Sequence, residues 1–348
     1  MKSSSFIVVA LLSLSALTCK KETPTAPPSA LDTTSHNWNW QTFAFGGASS
    51  STFYDIAIIN DTLAYAVGAI YLYDSTGQVD QQPYNLAMWD GRTWKLQKLF
   101  ANGFPPPIKS IIAVGQNDIW FDPWFHWDGQ HFQVIPSDPI FFAVGISKMW
   151  GDQSGIYVVG TTGFIARRMS SGSWIKIESG TTLDFQDIYG AINSQTNQTE
   201  IVAVASQLDI NKGNMIVSIE GATAVPINSG GLSWSIVGVW FVPGQQYYIV
   251  GDGIGQKKSL QDMNPWNVSP TGTLAQAYSA AISGNGTNDV VVVGSFGDIL
   301  HYNGSTWKDY SDQTYTNNGS YGSVSIKGNL VIAVGGNGPQ AVITMGRR

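Results

Sequence analysis

Side chains able to ligate a metal, act as a nucleophile or move a proton are sparse in this chain of 348 residues. The histidines are His36, His126, His131 and His301. No two of them have the HExxH spacing that presents a pair of imidazoles from one helix face to zinc. Cys19 is the single cysteine, so neither a thiolate cluster nor an intramolecular disulfide is available. Aspartate-rich calcium loops are absent. Gly251-Asp252-Gly253-Ile254-Gly255 is glycine-rich but sits between two expected strands instead of opening a helix, which suits a tight turn and not a phosphate cradle. Neither a metal nor a cofactor is expected, and no catalytic residue is assigned.

Binding chemistry has more support. Trp120-Phe121-Asp122-Pro123-Trp124-Phe125-His126-Trp127 concentrates aromatic residues in one short stretch. Strand alternation turns some of these rings outward, where Trp124, Phe125 and Trp127 beside Asp122 could stack on a sugar or anchor a protein partner. The same run also suits plain packing with bulky residues. Tyr247 is a second candidate of this kind.

The elements that must carry these residues are strands. Charged residues make up 12% and aromatics 12% of the chain, and 38 glycines accompany 13 tryptophans, a composition suited to short strands and tight turns. A turn signature recurs: Trp89-Asp90-Gly91-Arg92-Thr93-Trp94, Trp127-Asp128-Gly129-Gln130-His131-Phe132 and Tyr302-Asn303-Gly304-Ser305-Thr306-Trp307, with a weaker copy ending at Trp174. Asp-Gly and Asn-Gly accept the positive φ of hairpin turns, so each copy joins two antiparallel strands. Degenerate copies at Glu220–Ala224 and Asp262–Trp266 complete a series of aromatic slots at Trp94, Phe132, Trp174, Ala224, Trp266 and Trp307. Successive slots stand 38 to 50 residues apart, the span of one four-stranded propeller blade.

A second marker runs in phase, a β-branched strand ending in Val-Gly at Gly68, Gly160, Gly251, Gly294 and Gly335, with Trp120-Phe121 and Val204-Ala205 in the other two slots. The last blade lacks an outer strand. The front of the chain has one to spare, Asn37 to Phe43, carrying Trp40. The expected fold is therefore all-β, a seven-bladed β-propeller over residues 37–348, closed by pairing the N-terminal strand with the last blade. Six blades follow if a degenerate slot fails. Residues 71–85 read as a polar loop inserted in the first blade, and insertions on one face often mark the binding side.

Residues 1–18 form a targeting segment, with Lys2 ahead of an apolar run from Phe6 to Leu17 that is too short to span a bilayer. Ala16-Leu17-Thr18-Cys19 resembles the lipobox of bacterial lipoproteins. The resemblance implies that Cys19 is acylated, as by palmitate, and becomes the mature N-terminus. Leu17 stands one residue later than in that motif. Residues 19–36, rich in Pro, Ser and Thr, read as a flexible tether. Lys20-Lys21-Glu22 resembles the export signal of surface lipoproteins in the Bacteroidetes, which implies an outer-membrane anchor with cell-surface exposure. The formal charge of −6 contains no block of like charges, so nucleic acid is not an expected partner and the membrane is met through the lipid alone.

The Val-Gly strand, the third strand Gly297-Asp298-Ile299-Leu300-His301-Tyr302 and the Asn-Gly-Ser-Thr-Trp turn resemble the BNR or Asp-box propellers. These include sialidases and photosystem II assembly-factor-like repeats. Asp and Gly are adjacent here, whereas the Asp-box separates them. A sialidase-like activity implies three convergent arginines, yet before the pair Arg347 and Arg348 the chain has only Arg92, Arg167 and Arg168. Adjacent strand residues such as Arg167 and Arg168 point to opposite faces. The expected function is a non-enzymatic, surface-anchored binding or scaffold propeller that engages a protein or glycan. A glycan-hydrolysing propeller without recognisable catalytic residues is the alternative.

Overall fold

The computed structural model describes residues 33–207, 211–269, 278–314, 316 and 319–348. The targeting segment, Cys19 and the start of the tether lie outside the described residues.

Seven four-stranded antiparallel sheets form the body. Blade 1 comprises Thr52–Asn60, Leu63–Ile70, Tyr84–Trp89 and Trp94–Gln97, and blade 2 comprises Ile111–Gly115, Asp118–Phe121, Phe125–Trp127 and Phe132–Val134. Blades 3 to 6 begin at Ile146, Phe185, Ile236 and Ser279. Blade 7 holds Gly319–Lys327, Leu330–Asn337 and Gln340–Arg347, and its outer strand is Asn39–Gly46 from the other end of the described chain. The closing pair runs in unbroken register from Asn39↔Arg347 to Gly46↔Gln340. Both degenerate slots belong to true blades. Ala224 pairs with Ile219 in the outer strand of blade 4, and Trp266 directly precedes the outer strand Asn267–Ser269 of blade 5. Seven blades, not six, is the count.

The core lies between blades. Phe53, Ile56 and Ala66 of blade 1 meet Ile332, Val334 and Ile343 of blade 7, and comparable apolar clusters fill the other junctions. Burial of this kind is worth roughly 25 cal/mol per Å² of apolar surface and holds the ring together.

The Val-Gly marker has a steric cause. The first strand of most blades carries a β-bulge, as between Phe53 and Asp55 or between Tyr321 and Ser323. The bend brings the carbonyl oxygen of the preceding segment onto the glycine of the second strand. A Cβ at Gly68 would collide with the Thr52 oxygen, and one at Gly335 with the Ser320 oxygen. Blade 2 pairs Ile111↔Phe121 and Ile112↔Trp120 without that bulge, so its slot accepts phenylalanine. The Asp-Gly turns also have a local cause. Asp90 Oδ1 accepts the amides of Arg92 and Thr93, Asp128 Oδ1 those of Gln130 and His131, and Asn303 Oδ1 those of Ser305 and Thr306.

Candidate binding face

Antiparallel alternation puts two kinds of connection at the same end of every blade: those between second and third strands, and those from an outer strand to the next inner strand. That end is one face of the ring. The inserted loop of blade 1 lies there, tied down by Lys98 Nζ to Asp80 Oδ2 at 2.6 Å. The next connection is held by Asn85, whose amide donates to the Leu99 and Pro106 carbonyls at 2.9 Å each.

Exposed aromatic side chains gather on this face. Tyr73 in the inserted loop is 62% exposed, Phe100 and Phe104 in the connection between blades 1 and 2 are 47% exposed, and Phe142 in the next connection is 69% exposed. Phe296, in the second-to-third connection of blade 6, is also exposed. Backbone strain gathers there too. Of the six described non-glycine residues with positive φ, Asn102, Asp122, Ala143, Thr162 and Phe296 belong to these connections, and Asn197 alone lies at the other end. A left-handed phenylalanine costs on the order of 1–3 kcal/mol and persists only where its surroundings enforce it.

The central channel opens in the middle of the ring. Its lining includes the bulged residues Tyr54, Ser147, Gln186, Val237, Ala280 and Gly322, and it encloses about 290 Å³. Lys109 stands at the mouth with its ammonium 3.3 Å from the centre of the Tyr54 ring, a cation–π contact. Deeper in, Asp55 is buried and saturated. Its Oδ1 accepts Lys148 Nζ at 2.6 Å, Ser323 Oγ at 2.7 Å and the Ile56 amide at 2.9 Å, while its Oδ2 accepts Ser110 Oγ at 3.0 Å and the Ile111 amide at 2.9 Å. Burial pulls the Lys148 ammonium down, but the Asp55 and Asp187 carboxylates outweigh it and leave Lys148 above its ordinary value. Burial pushes Asp187 up to about 6 against the pull of Lys148 and of the Val239 and Ile188 amides. These bonds tie blades 1, 2, 3 and 7 together around the channel.

The aromatic run of blade 2 is largely spent on packing. Phe125 is buried, Trp124 lies edge-on to Phe141 at 5.2 Å, and Trp127 meets Phe132 at 4.8 Å. Asp122 is buried, and its carboxylate accepts the amides of Lys109 and Ser110 at 2.9 and 2.7 Å. Burial pushes it up to about 7 despite those bonds. Tyr247 is buried as well and donates to Glu200 Oε2 at 2.6 Å; burial and that bond raise its hydroxyl to about 12. These five residues do not share one surface. Among the slot residues, Trp174 and Trp266 are buried, Trp40, Trp94 and Trp307 are half-buried, and Phe132 is exposed. Arg167 and Arg168 point to opposite sides of blade 3, over Tyr157 and Trp120 respectively. The exposed loop aromatics were not singled out by sequence reasoning. The proline run Pro105-Pro106-Pro107 after Phe104 and the inserted loop around Tyr73 were the available signals.

No family model matches the chain, and no curated protein matches it. Solved structures do. The chain is similar to YCF48 bound to D1 peptide, at 17% identity and a TM-score of 0.66 over 92% of this chain and 100% of that one. It is also similar to YCF48 from Cyanidioschyzon merolae, at 14% identity and a TM-score of 0.61 over 88% and 98%. The WD40 β-propeller domain of Doa1 follows, at 11% identity and a TM-score of 0.58 over 89% and 97%. At these identities the likeness shows the propeller fold, which the chain shares along nearly its whole described length.

Proposed function

We propose that this protein is a non-enzymatic binding propeller that engages a protein partner through the face bearing the inserted loop and the channel mouth, and that an acylated Cys19 anchors it to the outer membrane. The gathering of exposed Tyr73, Phe100, Phe104 and Phe142 in adjacent connections of one sector carries the reading. Aromatic anchors that leave water supply most of the energy of protein interfaces, and a rigid ring holds them at low entropic cost. Likeness to a propeller solved with a peptide in place, YCF48 bound to D1 peptide, supports a protein ligand in preference to a glycan. The anchor, and with it a position at the cell surface, rests on the lipobox-like residues 16–19 and the charged residues that follow them.

A photo-crosslinking residue at position 142 in the membrane-bound protein is expected to capture a discrete partner, and Phe100→Ser with Phe104→Ser to abolish that capture. The same residue at Met263, exposed on the opposite face, is the control. Capture at 263 and none at 142 overturns the choice of face. Cys19→Ala is expected to release the protein from membranes. For the alternative reading, glycan hydrolysis, the channel carboxylates are the specific observation, but Asp55 has no free acceptor position for acid–base work. Glycoside turnover that disappears in Asp187→Asn would establish the enzyme instead.

A further inference from the structure

Arg167 and Arg168 leave opposite sides of one strand, Ile165–Arg168 of blade 3. Neither Nε has an acceptor. Arg167 Nη2 nevertheless donates to the Ser154 carbonyl at 3.3 Å, whereas Arg168 makes no hydrogen bond or ion pair among the described residues. Arg168 turns toward blade 2, where its guanidinium lies 4.6 Å from the centre of the Trp120 ring. Burial draws it below its ordinary value, against the opposing pull of Asp118. A partly dried guanidinium without an acceptor forfeits charge-assisted hydrogen bonds, which are stronger than neutral ones.

Arg168 opens into a crevice of about 430 Å³ between blades 2 and 3, at the face opposite the inserted loop. That size falls within the range of small-molecule sites. Two carboxylates line the same crevice. Asp118 engages Trp120 Nε1 at 3.0 Å and His126 Nε2 at 2.8 Å through Oδ1 alone, and its side chain is 49% exposed. Asp152 Oδ1 accepts the Ser154 amide at 2.7 Å and the Ser154 hydroxyl at 2.5 Å, while its Oδ2 accepts Thr199 Oγ1 at 3.3 Å. The lining disfavours the commoner small ligands. Two carboxylates against one guanidinium repel a phosphate or a dicarboxylate. A sugar would stack on a bare aromatic face, but Trp120 is buried beneath Arg168 and the stacked His126 ring. No group of three or more side chains able to hold a metal occurs among the described residues.

We propose that this crevice binds a small zwitterion of the α-amino-acid class, a free amino acid or a dipeptide, whose carboxylate pairs with Arg168 and whose ammonium meets Asp118 and Asp152. The unlike charges share one crevice yet do not pair with each other, an arrangement that a ligand bearing both signs completes. A guanidinium matches a carboxylate through two parallel hydrogen bonds. Both acids are fixed before a ligand arrives, Asp118 by Trp120 and His126 and Asp152 by the Ser154 turn, which lowers the entropic cost of binding. The site lies away from the aromatic face, so a ligand here does not compete with a protein partner there.

Calorimetric titration of the full chain with each common L-amino acid, and with dialanine, tests the site. At least one of these probes is expected to bind with a Kd below about 1 mM. Dialanine binding more tightly than alanine marks a peptide as the source of the zwitterion, and the reverse marks a free amino acid. The methyl ester of the bound probe lacks the carboxylate and its N-acetyl form lacks the ammonium; each is expected to bind roughly tenfold more weakly or worse. Arg168→Gln should weaken binding to a similar degree. So should Asp152→Asn, whose amide oxygen still accepts from Ser154. Absence of binding by every probe overturns the proposal, as does an ester or N-acetyl form that binds as tightly as its parent. Unchanged affinity in Arg168→Gln overturns it too. Should that variant fail to fold, Asp152→Asn decides, with unchanged affinity again the overturning result.

Discussion

Blades 2 and 7 fill equivalent places in the ring by opposite means. Blade 7 relies on its backbone. Its strands run eight or nine residues, its glycine slot is obeyed at Gly335, and two distant parts of the chain meet in an uninterrupted ladder. Blade 2 has strands of three to five residues and puts Phe121 in the glycine slot, with a left-handed Asp122 after it. It replaces ladder length with aromatic packing and with a buried carboxylate that gathers two amides. A blade of this ring is thus defined by the surface it offers its neighbours, and not by a fixed set of hydrogen bonds.

The largest effect is expected from deleting residues 37–46, which leaves Ala341, Ile343 and Met345 at an open edge. The melting temperature should fall by on the order of 10 °C or more, as thermal denaturation followed by circular dichroism would show; a full-length-like transition would mean that blade 7 does not need its ladder. Gly335→Val should cost about 3 kcal/mol in urea denaturation, because its Cβ meets the Ser320 oxygen. A near-neutral result would remove the steric account of the Val-Gly marker.

Asp122→Asn probes the other strategy through pH. The folded-state value of Asp122, about 7, lies above the ordinary 3.8. Folding is thus favoured by the proton, a contribution present at pH 4 and lost as pH rises through 7. The wild type should lose stability relative to Asp122→Asn between about pH 5 and about pH 8, by on the order of 1–3 kcal/mol. Parallel pH profiles would show that the carboxylate is not strained by burial. The smallest contrast is between slot residues. Trp40→Ala in blade 7 should cost about 2 kcal/mol, since the ring packs on Trp38 and Tyr310. Phe132→Ala in blade 2 should cost under about 1 kcal/mol because that ring is 38% exposed. Equal costs would erase the distinction between the two blades.

The repeat was legible because its causes are local. Asp90, Asp128 and Asn303 fold back onto amides two and three residues ahead, and that chemistry is written in consecutive residues. The closing strand was legible from a shortage at one end and a surplus at the other, although it begins at Asn39 instead of Asn37 and runs on to Gly46. The binding residues were harder to read. The run from Trp120 to Trp127 suited either an outward platform or plain packing, and the 3-10 turn at Asp122–Trp124 and the packing of Phe141 turn several of its rings inward.

The blade spacing, the turns and the way the ring closes could be read from the sequence, because they depend on spacing along the chain and on what each backbone position tolerates; the choice of seven blades over six waited on the pairing of Ala224 and on the strand after Trp266. Which aromatic side chains meet water, that Asp55 joins four blades around the channel, and that His36 lies against His301 depend instead on how the folded blades come together. Those are meetings of residues up to 268 positions apart, and the chain's local chemistry carries no record of the partner until the ring has closed.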